Sequence, residues 1–351
     1  MTGQDRVRVL MAGPSDPFAA RPSLLRSRLQ DEGIDVAITE RLPRRWLGPR
    51  LFSKPRWDLL YLTDPPLALS EPRLLDLSLP VLVAYSGRYP STNLDGTPEP
   101  LDLATASALL RRAAVVVCPS ESMARELASA GLPIEQTRVV PPGMPPAGRP
   151  IRPPSETGPL RILTVGPLRW WRGLEYLVMA IGILVEGGSS VRLDIVGHGP
   201  DRNRVTFAIH DLGLTEIVRL TAYDPEQTPL LFDHADLYVC SAVAGSFPTD
   251  LLAAMARGIP VVAADCDYAA DVVTHEEEGL LAPPRHAAAM AAALESLARA
   301  PQTRLRMGAA GRRRVEDSYS LEAHARAFAG LCADMVERQT QATARIEGTQ
   351  R

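Results

Sequence analysis

The sequence predicts an α/β protein made of two Rossmann-like, doubly wound parallel-sheet domains that face a cleft. Three observations predict it. Short apolar runs alternate with helical patterns along most of the 351 residues. A proline- and glycine-rich stretch interrupts that alternation near the middle, and the alternation then restarts. The length suits two domains of ordinary size, and an apolar content of 46% is enough to fill two cores.

The first half opens on Val7–Gly13, an apolar run that ends in Gly13-Pro14 as a first parallel strand ends in its loop. A helix is predicted over 21–32 and a second strand over Asp35–Thr39. Arg41–Lys54 is basic and punctuated by proline, which marks a surface loop. Further strands fall at Leu59–Leu62, Val81–Ala84 and Val115–Cys118. Residues 1–145 thus form the N-terminal domain, and 146–158 a proline-rich linker. The second domain, 159–317, repeats the pattern. Its strands are Leu160–Val165, Val191–Val196, Val218–Leu220, Leu237–Cys240 and Pro260–Ala264, followed by an apolar run at Gly279–Ala282, with helices at 173–187, 200–212 and 248–257. A last helix over 318–338 is long enough to return to the first domain, and the polar tail 339–351 is expected to fray.

Composition narrows the function. A net charge of −3 carries no basic excess, so nucleic acid is not an expected partner. The four cysteines lie far apart, which predicts neither a zinc site nor a disulfide framework; Cys118 and Cys240 end apolar runs and read as buried small hydrophobes. No metal and no cofactor are expected. The N-terminal residues have no long apolar core before a cleavage site, and no segment approaches a membrane span. The expectation is a cytoplasmic protein. Arg41–Arg56, which contains Trp46, is either a solvated loop or a patch for peripheral contact with the inner face of an anionic membrane.

Several segments carry chemistry. Leu163–Leu168 with Arg172-Gly173, then Leu193–Pro200 with its paired glycines, precede Leu237–Ser241, Phe247-Pro248 and Ala254–Ala256. Gly258–Val262 and Glu278–Pro283 complete the series. In the first domain Val115–Ser120, Glu126–Gly131 and Val139–Gly143 follow the same order. Taken together these segments resemble the family 4 glycosyltransferases, and the resemblance implies a GT-B fold with a nucleotide-diphosphate sugar as substrate. The physical logic stands beside the name. A diphosphate needs backbone N–H groups, a helix N-terminus and a cation. Gly245-Ser246-Phe247 precedes a helix whose first position suits Pro248, so its amides and dipole are expected to face an anion. Arg172 is the natural cation, the plain alternative being an exposed helix-start residue. Gly166, Thr249 and Asp250 join Arg169, Arg172 and Gly245–Phe247 as candidate contacts of the donor diphosphate and sugar.

The chain also departs from the family pattern. The resemblance implies two glutamates, one for the donor sugar and one for the ribose, at positions that here are Gly245 and Ala253. No glutamate occurs between Glu226 and Glu276. Asp250 is the nearby acid, in the helix's first turn where the dipole favours a carboxylate. The family's phosphate-loop arginine is Pro167, and its lysine is Arg172, which keeps the charge and adds a bidentate fork. Arg169 either replaces the lost charge or is solvated. Trp170-Trp171 either offers a stacking face or divides between core and loop cover. In the first domain Gly13, Tyr85, Ser86 and, from the second, His198 are candidate cleft contacts; Ser86 stands where the family often has a histidine.

Two functional readings follow. The first is a glycosyltransferase, retaining and metal-independent as the resemblance implies, acting on a glycan, glycolipid or small-molecule acceptor. The second is a catalytically inactive relative that binds nucleotide sugar or scaffolds a partner transferase. A pyridoxal-phosphate phosphorylase is disfavoured, since Lys54 is the sole lysine and lies in the proline-flanked basic loop.

Overall fold

The structure, a computed structural model, describes residues 6–13, 22–39, 57–63, 74, 75, 77, 79–85, 87, 90–92, 98–100, 103–146, 158–224, 226–266 and 268–349. The basic segment through Lys54, Ser86, and most of the expected linker lie outside them. The chain divides into two compact units. One comprises Met1–Ser91, Glu99–Pro145 and Tyr319–Arg351, the other Thr92–Pro98 and Pro146–Ser318.

In the first unit the elements run β1 (Val7–Ala12), α1 (Pro22–Asp31), β2 (Ile34–Thr39), β3 (Leu59–Leu62) and β4 (Val81–Ala84). A separate two-stranded pairing joins β5 (Pro90–Thr92) and β6 (Pro98–Pro100). Then come α2 (Leu103–Leu110), β7 (Val115–Cys118), α3 (Glu121–Ser129) and β8 (Thr137–Val139). The sheet order is β2-β1-β3-β4-β7-β8, every pairing parallel. Parallel strands are covered on both faces, which is why Val115–Cys118 is apolar at every position and buried throughout. Local chemistry sets the helix ends. Ser120 caps α3 by accepting from the Met123 N–H, and Glu121 sits in the first turn where the dipole favours it. The Gln136 amide donates to the Leu110 and Arg111 carbonyls, satisfying groups left open at the end of α2.

The terminal helix, Leu321–Thr349, belongs to this unit. Phe328, Ala325 and Cys332 are buried with Val9, Met11, Val36 and Leu82 in one cluster, and the Phe328 and Tyr61 rings lie 4.8 Å apart. Its start is tied to the segment that leaves β8. The Met144 N–H donates to the Tyr319 carbonyl at 2.8 Å, and His324 Nδ1–H donates to the Pro141 carbonyl at 2.7 Å. The helix corrects two expectations: it begins at Leu321 rather than 318, and it continues to Thr349 where a frayed tail was expected. Alanine, glutamate, glutamine and arginine in that stretch are strong helix formers, and their polarity does not weaken that preference.

The second unit holds β9 (Leu160–Val165), α4 (Leu174–Glu186), β10 (Val191–Val196), α5 (Arg202–Asp211), β11 (Val218–Thr221), α6 (Thr228–His234) and β12 (Leu237–Cys240). After them come α7 (Thr249–Ala256), β13 (Val261–Ala264), α8 (Ala269–Val272), β14 (Gly279–Ala282), α9 (Ala287–Ala298) and α10 (Pro301–Ser318). The sheet is again fully parallel, in the order β11-β10-β9-β12-β13-β14. Its core packs Leu177, Ile181 and Leu184 of α4 and Leu294 of α9 against Ile162, Leu193 and Val239. Cys118 and Cys240 are buried as expected, and burial pushes their thiols up to about 12 and about 11. Among the described residues no helix is long and apolar enough to cross a membrane.

His324 supplies a test of the first unit. Burial pushes its imidazole below the ordinary value, the Pro141 bond opposing that shift. The unfolded chain therefore binds the proton more readily, so stability is lost as pH falls through about 6.5. Thermal unfolding between pH 7.5 and 5 is expected to show the wild-type midpoint falling, with a shallower fall in His324→Gln.

Candidate functional site

The second sheet reverses its strand order between β9 and β12, the place where open α/β sheets bind ligands. The two strands pair only at Leu237–Ile162 and Tyr238–Leu163, whereas β9 pairs with β10 over its whole length. Beyond Leu163 they part, leaving backbone polar groups of β9 without a ladder partner. The Tyr238 side chain fills the gap. Its hydroxyl accepts from the Val165 N–H at 3.2 Å and lies 3.0 Å from the Val165 carbonyl and 2.7 Å from Asp250 Oδ2. A phenol carries one proton, and the shorter contact to a charged oxygen takes it.

Asp250 receives a second donor. Arg172 Nη2 lies 2.8 Å from Asp250 Oδ2 and 3.1 Å from the Val165 carbonyl, with side-chain exposures of 12% for Arg172 and 6% for Asp250. Burial works against the guanidinium's charge, and the adjacent carboxylate more than offsets it, so Arg172 stays cationic. The Tyr238 hydroxyl is pushed up by burial and by the same carboxylate, so it remains a phenol. Phe232 stacks on Tyr238 at 5.5 Å, and the Arg257 guanidinium stands 4.9 Å over Phe232. Asp250 was expected as a first-turn carboxylate held by the helix dipole. It is in that turn, but its charge is met by a cation and a phenol.

Two loops close over this cluster. In the β9 loop, Arg169 stands 5.5 Å over the Trp171 ring, and Trp170 meets Trp171 edge-on at 6.0 Å. The Trp171 carbonyl accepts from the Val243 N–H at 2.7 Å, and Ser241 Oγ donates to the Arg172 carbonyl at 2.8 Å. These bonds pin the β9 loop to the β12 loop. The bare backbone of Gly166 lies on Arg172: a Cβ there would stand 3.1 Å from the guanidinium. On its other side Gly197 approaches Gly166 too closely for any side chain, which explains the first glycine of the Gly197-His198-Gly199 turn.

The structure therefore brings Gly166, Arg169, Arg172, Gly245 and Asp250 to the ends of β9 and β12. Ser246 is exposed at the turn, Phe247 is buried, and Thr249 opens α7. Pro248 was expected at the first helical position; it is the N-cap, with φ −84° and ψ 72°, and Thr249 takes the first position. The Thr249 and Leu251 amides, expected to face an anion, donate to the Phe247 and Pro248 carbonyls. Pro167 and His198 are exposed. In the first unit, Gly13 ends β1 with its N–H bonded to the Thr39 carbonyl. Tyr85, expected as an accessible contact, is 1% exposed and belongs to the interior of its unit. The sequence marked Leu237–Ser241 as a segment but assigned Tyr238 and Ser241 no role of their own; for Tyr238 the signal was the one aromatic in a strand of leucine, valine and cysteine. Among the described residues no three His, Cys, Asp or Glu side chains converge to hold a metal ion.

Comparison with known proteins decides the family. A model described as glycosyl transferases group 1 matches residues 151–314, and one described as glycosyl transferase 4-like domain matches residues 3–143. The chain belongs to the family 4-like GT-B glycosyltransferases. Among curated relatives of this glycosyltransferase-family chain, the amylovoran biosynthesis glycosyltransferase AmsK of Erwinia amylovora is 30% identical over 169 residues. That match spans 46% of this chain and 42% of AmsK. The 2-deoxystreptamine glucosyltransferase of Streptomyces kanamyceticus is 27% identical over 329 residues, 88% of this chain and 83% of its own. The chain spans less than half the length of the first curated relatives it matches. Anabaena Alr3699/HepE, solved with UDP, shares the fold at TM-score 0.70 and 17% identity, covering 93% of this chain and 100% of its own. Sucrose-phosphate synthase of Thermosynechococcus elongatus does so at TM-score 0.72 and 21% identity, covering 96% and 100%.

In this family 4-like chain, the structure disfavours a carboxylate at both positions where the resemblance implies a glutamate, Gly245 and Ala253. Gly245 has φ 145°, which L side chains rarely adopt, and a Cβ there would stand 3.3 Å from the Trp171 ring. Ala253 is 3% exposed inside α7, where an added carboxylate would be buried. Gly245→Glu is therefore expected to lower stability by about 1 kcal/mol or more through backbone strain, read by urea unfolding. Tyr238→Phe removes the hydroxyl that closes the β9–β12 gap and is expected to cost about 1–3 kcal/mol in the same assay.

Proposed function

We propose that this protein transfers a sugar from a nucleotide-diphosphate donor to a glycan, glycolipid or small-molecule acceptor. In this reading anomeric configuration is retained and neither a metal nor a cofactor is needed. The observation that carries it is the guanidinium of Arg172 lying beneath the Gly166 backbone at the switch point of the second sheet. In a reaction of this kind the protein mainly positions the two substrates and stabilises the departing diphosphate. Arg172 and Arg169 supply the positive charge, and the Gly166 loop with Ser246 supplies close backbone. The relatives' names, an amylovoran biosynthesis glycosyltransferase and a 2-deoxystreptamine glucosyltransferase, support sugar transfer, and the UDP in the Anabaena structure puts UDP-sugars first among donors. The protein works in the cytoplasm, in peripheral contact with the membrane where the acceptor is lipid-linked.

One specific observation favours a second reading. The two carboxylate positions are Gly245 and Ala253, and the cation of the site is already paired with Asp250. A carboxylate bonded to a sugar hydroxyl contributes roughly 1.5–3 kcal/mol, so losing two removes enough to abolish turnover without touching the fold. That describes an inactive relative that holds nucleotide sugar or supports an active transferase.

Transfer and hydrolysis assayed against UDP-, GDP- and ADP-sugars separate the two readings. Turnover of one donor, with the anomeric signal of the product retained and no loss on adding a chelator, is the expected result. Nucleotide binding without turnover of any donor leaves the inactive reading. For the site itself, calorimetry with UDP on Arg172→Ala is expected to show at least a tenfold loss of affinity, about 1.4 kcal/mol. Unchanged affinity removes Arg172 from the donor site.

A further inference from the structure

We infer that Asp250 is a counter-ion built into the phosphate end of this site, so that an incoming diphosphate must take Arg172 away from a carboxylate the protein itself provides. The inference rests on the nucleotide-diphosphate reading above and adds a residue that sets donor affinity. Three features that favour an anion converge on the Asp250 carboxylate. Arg172 donates to Oδ2 at 2.8 Å, the Tyr238 hydroxyl donates to the same oxygen at 2.7 Å, and the residue lies in the first turn of α7, at the positive end of the helix dipole. These are the groups a phosphate oxygen would use, and here a side chain uses them. Pairing leaves Arg172 and Asp250 with no net charge between them.

Burial makes that neutralisation strong. Both side chains are nearly withdrawn from solvent, where water screens little and unit charges act over several ångströms. A diphosphate approaching Arg172 therefore meets the Asp250 charge at almost the same distance, and its attraction to the arginine is largely cancelled. Asp250 also fixes where the guanidinium rests, on the underside of Gly166 and against the Val165 carbonyl. It is thus a positioning residue that acts on ligand through Arg172. A purely structural ion pair would hold the loops together equally well and leave anion affinity unchanged when its acid is neutralised. That difference is measurable.

The test is calorimetry on the full chain with inorganic pyrophosphate and with UDP, comparing wild type, Asp250→Asn, Asp250→Glu and the double variant Arg172→Met/Asp250→Leu. Asparagine keeps the size and the bonds to Arg172 and Tyr238 while removing the charge. Asp250→Asn is expected to bind both ligands about tenfold more tightly, Asp250→Glu to match wild type, and the double variant to fall to wild type or below. Pyrophosphate bound no more tightly by Asp250→Asn than by wild type overturns the counter-ion role. If that variant gains pyrophosphate affinity while UDP binds to none of the proteins, the counter-ion stands and the nucleotide reading falls. If UDP binds wild type and Asp250→Asn equally, the reverse holds. Absence of binding throughout overturns both. Should Asp250→Asn not fold, a wild-type crystal soaked in pyrophosphate decides: the ion pair is expected to be broken with Arg172 on the ligand, and an intact pair with the ligand elsewhere refutes the inference.

Discussion

The arrangement of the second unit depends on how β9 and β12 part. A parallel sheet that reverses its strand order must leave polar backbone exposed between the two diverging strands, and buried backbone of that kind has to be satisfied. Here the Tyr238 hydroxyl takes the Val165 N–H, and Arg172 takes the Val165 carbonyl. Introducing a guanidinium for that purpose creates a buried charge, and Asp250 answers it. Removing either partner would strand the other, at a cost of about 3–5 kcal/mol, whereas replacing both by apolar groups is often close to neutral. The pair is therefore weak as an argument for stability.

The same three residues explain why the loops above them are ordered. Gly166 can rest on Arg172 because it has no side chain, and Gly197 can cross Gly166 for the same reason. Trp171 then spans from the β9 loop to Gly245, while its carbonyl receives the Val243 N–H. The place where the resemblance implies a glutamate, Gly245, is thus a glycine in a left-handed conformation against an indole. A side chain at this position would have to displace the tryptophan as well as strain the backbone.

Much of the fold was legible because parallel strands buried on both faces appear as continuous apolar runs. Val115–Cys118 and Leu237–Cys240 are examples. The strand Thr137–Val139 and the pairing of Pro90–Thr92 with Pro98–Pro100 were not legible, being three residues each with no apolar run to mark them. At the site, the resemblance put Gly166 and Arg172 in the loop after β9, and the structure places the guanidinium against the Gly166 backbone there. The role of Asp250 was not legible, since its cation lies 78 positions away and only the folded sheet brings them together. Pro248 was misplaced by one position because proline is compatible with the N-cap and the first helical turn alike. The helical run to Thr349 was hidden by its polarity, although its residues favour helix.

The terminal helix has a consequence for the order in which the molecule is made. Phe328, Ala325 and Cys332 complete the interior of the first unit, yet they are translated after the whole of the second. During synthesis the six strands of the second unit can assemble as soon as they emerge, whereas the sheet of β1 to β4, β7 and β8 lacks part of its covering until the last helix is translated. The unit that begins first is therefore finished last, and its interior is complete only when the final helix has been made.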